Sequence, residues 1–254
     1  MNGIVDSSVF CGYWPFRCLE HRTPESLKAH LAAHGVRQAW VAATEAVLYP
    51  DPMQANLPLL EAVGGDEFFA PVAIVDVTLG TWRADLESCL HEWGCRAVKL
   101  LPNYHRYGLD DERVSELVAV AADAGVPVCV QMRMMDERAH HPLMMVPGVR
   151  PADVAALALG HPDARFLACG ACRTQVAALS EAPNVWAETS MIESQLSLRT
   201  ALDAMGPQRV VFGSHSPFQY LAAMVAKLDV PAEDVPPEHV DAAREHNAVQ
   251  LLGV

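Results

Sequence analysis

Two residues of this 254-residue chain end apolar runs in a way that could do chemistry: Lys99 in Ala97-Val98-Lys99-Leu100, and His215 in Val210-Val211-Phe212-Gly213-Ser214-His215. An imidazole gives or takes a proton near neutral pH, so His215 can act as general acid or base. An ammonium at the end of an apolar strand needs a partner, and Lys99 can hold an anion or a developing oxyanion. Each has a plainer alternative. His215 can be hydrogen-bonded within the fold, and Lys99 can pair with Glu188. Asn103 and Tyr104 follow Lys99 closely, and Gln131 and Arg133 share one parity on a later apolar run, so these four with Glu188 form the expected substrate-binding set.

Other polar residues carry weaker signals. Arg133 and Arg138 can fork onto a substrate carboxylate or pair with Asp136 and Glu137. His140 and His141 are consecutive, so an extended backbone points them to opposite sides. A metal held by His141 with Asp136 or His105 is the least favoured arrangement. Cys169-Gly170-Ala171-Cys172 has the spacing of a metal clip or redox pair, but no second cysteine pair accompanies it, and it reads as two separate thiols.

The elements that must position these residues alternate along the whole chain. Apolar, β-branched runs at 3–10, 38–47, 68–77, 96–103, 127–134, 165–171, 184–191 and 209–215 are each followed by a helical pattern, at 24–35, 53–64, 82–94, 111–125, 151–159, 175–181, 195–206 and 218–228. The runs are nearly continuously apolar, as a parallel strand buried on both faces requires. Val114, Leu117, Val118, Ala121 and Ala122 fall on one helix face. Thr23 before Pro24 reads as a helix cap. Eight short-linked strand–helix units predict a closed (β/α)8 TIM barrel, an α/β fold, as a single domain over residues 1–254. A proline-broken acidic loop then leads to an extra C-terminal helix at about 238–252. In such a barrel, reacting groups gather at the carboxyl ends of the strands. That adds Ser8, Phe10, Glu45, Asp76 and Cys169 to the ring.

Composition narrows the partners. With 51% hydrophobic residues the chain can bury a large core. Its net charge of −13 disfavours nucleic acid and anionic membranes, and leaves a small molecule as the expected partner, with a homo-oligomer allowed. No basic-then-apolar leader opens the sequence, and seven scattered cysteines fit reduced thiols. The expected location is cytoplasmic.

Four segments in order, Ile4 to Phe10, Ala97 to Tyr104, Arg209 to Pro217 and Asn247 to Gly253, resemble the amidohydrolase superfamily, in its amidohydrolase-2-like decarboxylase and lactonase branch. The resemblance implies a metal site formed by a His-x-His pair on the first strand, later histidines and an aspartate after strand eight. Here those positions hold Ser8, Phe10, Gln131, Cys169 and His215. Phenylalanine cannot ligate, and serine and glutamine are poor ligands for a zinc-like ion, so no cofactor is expected. The expected function is a metal-independent hydrolase of a small organic acid, lactone or amide. His215 would move the proton, Lys99 and Arg133 would stabilise negative charge, and Gln131 with Tyr104 would orient substrate. The alternative is a catalytically silent barrel that binds a ligand or a partner.

Overall fold

The computed structural model describes residues 3–253. Its strands are β1 (Ile4–Cys11), β2 (Val36–Ala43), β3 (Phe69–Ile74), β4 (Ala97–Leu100), β5 (Val128–Gln131), β6 (Phe166–Cys169), β7 (Val185–Glu188) and β8 (Val210–Val211). They pair in parallel in sequence order, forming one eight-stranded sheet. The ring closes between β1 and the segment after β8. Val9 bridges Ser216, Ser7 N–H donates to Phe212 O at 3.0 Å, and Phe10 N–H donates to Ser216 O at 2.8 Å. Every residue of β1 is buried, as expected where side chains fill the barrel on one face and helices cover the other.

Helices α1 (Pro24–Ala33), α2 (Met53–Val63), α3 (Trp82–His91), α4 (Pro102–His105), α5 (Glu112–Asp123), α6 (Pro151–Gly160), α7 (Arg173–Leu179), α8 (Ser197–Met205) and α9 (Leu221–Val225) follow the strands. Local chemistry sets their starts. Thr23 Oγ1 accepts from Ser26 N–H ahead of Pro24, and the Asp111 carboxylate accepts from Arg113 N–H at 3.0 Å. On α5 the buried side chains are Val114, Leu117, Val118 and Ala121, the face marked by the apolar spacing. Each larger one contributes about 1.5–3 kcal/mol by leaving water.

The chain ends in α10 (Pro237–Asp241), a π-helical turn at Ala242–His246 and α11 (Asn247–Leu252). This is the extra terminal helix, and it is tied to the sheet. Phe212 N–H donates to Ala243 O, and Asn247 Nδ2 donates to Pro207 O and Val210 O, each at 2.7 Å. Among the described residues, no helix is long and apolar enough to cross a membrane.

From β2 onward every strand is shorter than its apolar run, most tellingly β2 and β8. β2 ends at Ala43, and Glu45 starts a 3-10 turn, Glu45–Val47. β8 is only two residues long, because Ser214 N–H turns to Asp6 Oδ1 and His215 adopts φ 54°. Asn103 and Tyr104 lie in the one-turn α4 directly beyond β4.

Candidate functional site

Lys99 points into the barrel from β4 and is 1% exposed. Its Nζ donates to Gln131 Oε1 at 3.0 Å and lies 4.4 Å from the centroid of the Phe10 ring. Gln131 is held in turn. Its Nε2 donates to Arg133 O at 2.7 Å, which leaves the amide oxygen facing the ammonium. The ion pairs among the described residues all lie elsewhere, so no carboxylate balances Lys99. A buried charge without a counter-ion costs several kcal/mol, about 3–5 when a partner is removed from a buried pair.

The ion pair between Lys99 and Glu188, the plainer alternative for this lysine, does not form. Glu188 is fully buried and accepts from Gly170 N–H, Ser190 N–H and the Ser190 hydroxyl. Burial raises its pKa against the pull of those hydrogen bonds and of Lys227. The approach is tight, since a Cβ on Gly213 would stand 2.6 Å from Glu188 Oε2. Glu188 thus organises the tips of β6 and β7 and leaves Lys99 free.

His215 is also fully buried, between the Phe10 and Phe218 rings at 5.3 and 5.2 Å. Its backbone N–H donates to Ser8 O at 2.8 Å, and Nε2 lies 2.6 Å from Met134 O. A carbonyl only accepts, so Nε2 carries the hydrogen and Nδ1 keeps its lone pair. Nδ1 has no protein partner. Burial pushes the imidazole down to about 3, and the nearby Lys99 and Arg17 charges add to this, so at neutral pH His215 is an uncharged acceptor.

Asp6, not among the expected site residues, completes this interior. Its Oδ1 accepts from Ser8 N–H at 3.2 Å and Ser214 N–H at 2.9 Å, clasping β1 to the end of β8. Burial pushes its carboxyl up to about 7, with a smaller push from Glu188. Asp6 Oδ2, Ser8 Oγ, His215 Nδ1 and Ser216 Oγ are buried with no protein partner, an unusual cluster at one seam of a barrel. The sequence signal for Asp6 was a charged residue inside the first strand's otherwise uncharged run.

The remaining expected residues divide between rim and exterior. Arg133 turns away, its Nη2 donating to Gln175 Oε1 at 3.1 Å beside α7. Arg138 pairs with Asp136 at 2.7 Å. Asn103 donates to Pro147 O, and burial raises the Tyr104 hydroxyl above its ordinary pKa. Asn103 thereby ties α4 to the long loop 132–149, which also supplies the Met134 carbonyl to His215 and sets His141 against Phe16 at 5.3 Å. The loop lies over the mouth. Cys169 is buried and Cys172 half-buried, both free thiols; a hydrogen bond from Cys129, helped by the Lys99 charge, holds Cys169 below its usual pKa despite burial. Open cavities flank the axis, one of about 270 Å³ beside Glu45 and Arg22, another of about 330 Å³ beside His21, His30 and Phe218.

The eight parallel strands with buried polar groups at their tips define a (β/α)8 barrel. The Amidohydrolase family model matches residues 20–254, and this chain belongs to that family. No curated protein matches it in sequence. Among solved structures it is similar to 2,6-dihydroxybenzoate decarboxylase in complex with 2,6-dihydroxybenzoate (TM-score 0.79, 14% identity, all of both chains covered). It is also similar to 5-carboxyvanillate decarboxylase from Sphingomonas paucimobilis (TM-score 0.77, 12% identity, 99% of each chain). A third is a dihydroxybenzoic acid decarboxylase from a Polaromonas species with bound manganese and 2-nitroresorcinol (TM-score 0.76, 15% identity, 100% of this chain and 97% of that one).

The manganese in that structure, and in a 5-carboxyvanillate decarboxylase from Novosphingobium aromaticivorans, runs against the expectation that this chain, its family metal ligands replaced, has no cofactor. The residues here do not themselves fit such an ion. Among the described residues no three His, Cys, Asp or Glu side chains are grouped to hold one. Phe10 presents a ring at the mouth, and the Lys99 ammonium above it repels a divalent cation.

Proposed function

We propose that this barrel takes a small organic acid, lactone or amide at its mouth and hydrolyses it. Lys99 receives the carboxylate or the oxyanion, and His215 moves the proton through Nδ1. The observation that carries this reading is a fully buried ammonium bonded to an amide oxygen and a ring, with no carboxylate beside it. Gln131 fixes the position of Nζ, and Asn103 and Tyr104 approach from the rim. His215 Nδ1 takes a proton from water as the water oxygen attacks the carbonyl. Lys99 balances the oxyanion, the C–O or C–N bond breaks, and the leaving group recovers the proton. A docked anion also offsets the Lys99 charge that helps hold His215 down, so ligand binding makes Nδ1 more basic.

A second reading, a barrel that binds an acid without turning it over, is favoured by the closed mouth. Gln131 is 3% exposed and His215 is 0% exposed, so a ligand must lift loop 132–149 to enter. The names of the similar structures add decarboxylation of a hydroxybenzoate as a reaction to test. A panel of lactones, amides and 2,6-dihydroxybenzoate, assayed with and without added manganese, separates these readings. Hydrolysis by the native protein at least a hundredfold above His215→Ala and Lys99→Met supports the first. Saturable binding without product supports the second, and equal rates in all three proteins sink the enzymatic reading.

A further inference from the structure

Beside the mouth, three imidazoles are in consecutive contact. The His21 and His30 rings stack at 4.0 Å with an interplanar angle of 12°, and His34 meets His30 edge-on at 5.0 Å. His30 and His34 are four residues apart, on the last turn and C-cap of α1, so they share a face. His21 reaches them from the loop after β1 by adopting φ 53°, a backbone region non-glycine residues seldom occupy. Its Nδ1 is bonded to Ser26 Oγ at 3.0 Å, and His34 Nδ1 donates to His30 O at 3.0 Å. A parallel stack at 4.0 Å suits neutral rings and opposes charged ones.

The wall opposite the stack is the segment 217–222, across a cavity of about 330 Å³. Phe218 of that segment is the cap of the mouth, packing on Phe10 at 5.7 Å, Trp14 at 5.3 Å and His215 at 5.2 Å. Arg17 grips the same residue, donating from Nη2 to Phe218 O at 2.6 Å with its guanidinium 5.7 Å from the ring. The loop that carries His21 therefore also carries the residue that holds the cap.

We propose that the His21, His30 and His34 stack is an acid-sensitive latch: protonation parts the rings, displaces the loop bearing Arg17 and releases Phe218 from the barrel mouth. The charged groups around the stack are few. From its own loop come Arg17, which opposes a second positive charge, and Glu20, which favours the first. Segment 217–222 contributes only Tyr220 among titratable groups. On α1, Lys28 is engaged with Asp66. One carboxylate can balance one imidazolium, and the next protonation places like charges in contact. Burial and the two neighbouring rings already favour the neutral form of His30. The latch does not depend on the reaction performed at the mouth.

Hydrogen exchange of the full chain, read by mass spectrometry on peptides covering 212–224 and corrected for the intrinsic pH effect, tests it. The Phe218, Gln219, Ala223 and Met224 amides donate within this segment and report its opening. The native protein is expected to lose at least tenfold protection there between pH 7.5 and 5.5, while the strand peptides stay unchanged. The variant His21→Gln/His30→Gln/His34→Gln, checked for native circular dichroism, is expected to show no such loss, and His30→Gln alone a reduced one. Unchanged protection in the native protein, or an equal loss in the folded triple variant or in His30→Gln, overturns the latch.

Discussion

Lys99 is sealed inside the barrel with an amide oxygen and an aromatic ring for company, and that is an expensive place for a charge. Replacing it with methionine, which has similar length and no charge, is expected to raise the unfolding free energy in a denaturant titration by about 1–3 kcal/mol, because an uncompensated buried charge is removed. Carboxylate binding should weaken in the same variant, a trade of stability against function. Asp6 gives a second prediction, with a sign set by its raised pKa. The folded state prefers the protonated carboxyl, so this stabilising contribution is full below the unfolded value near 3.8 and is lost as pH rises toward about 7. Asp6→Asn should therefore leave stability nearly unchanged at pH 4 and increase it by about 2–4 kcal/mol at pH 8, as chemical denaturation at the two pH values would show. His215 has the opposite sign: its neutral form is preferred in the fold, and that contribution is lost as pH falls from 6.5 toward about 3. At this scale the sequence shows which strand tips carry polar groups, because a lysine, glutamine, glutamate or histidine ending an apolar run stands out. It does not show their pairing. The Glu188 oxygens are taken by Ser190 two residues on and by the Gly170 backbone on the neighbouring strand, and Arg133 turns to Gln175, choices that no periodicity marks.

Among the elements, the strand–helix alternation is legible because each unit repeats the same burial problem, a two-faced strand beneath a one-faced helix. What periodicity cannot mark is where hydrogen bonding leaves the sheet. The run read as β2 extends to Val47, yet its backbone has already turned into the Glu45–Val47 3-10 turn, and the β8 run continues past Val211 as a clasp to β1. The tips of β5 and β6 meet at Gly170, which has φ +73° and where a Cβ would lie 2.6 Å from Arg133 O, a backbone atom that cannot swing aside. Gly170→Ala should cost about 1–3 kcal/mol in thermal or chemical unfolding. It should also speed proteolysis within loop 132–149, which begins at the displaced carbonyl.

For the whole molecule, the family match and the barrel agree, whereas the manganese of similar structures and the interior of this one do not. On the proposed reading, the buried Lys99 beside the Phe10 ring is where a chain of net charge −13 would attract an anion. The most direct test is isothermal titration of benzoate, 2,6-dihydroxybenzoate and cyclohexanecarboxylate into the native protein and Lys99→Met at pH 7.5. Binding of at least one of these acids at one site per chain, weakened about thirtyfold or more by Lys99→Met, is the predicted result, equivalent to about 2 kcal/mol. No binding of any acid, or equal affinities in the two proteins, would contradict the assignment of Lys99 as the anion-receiving group.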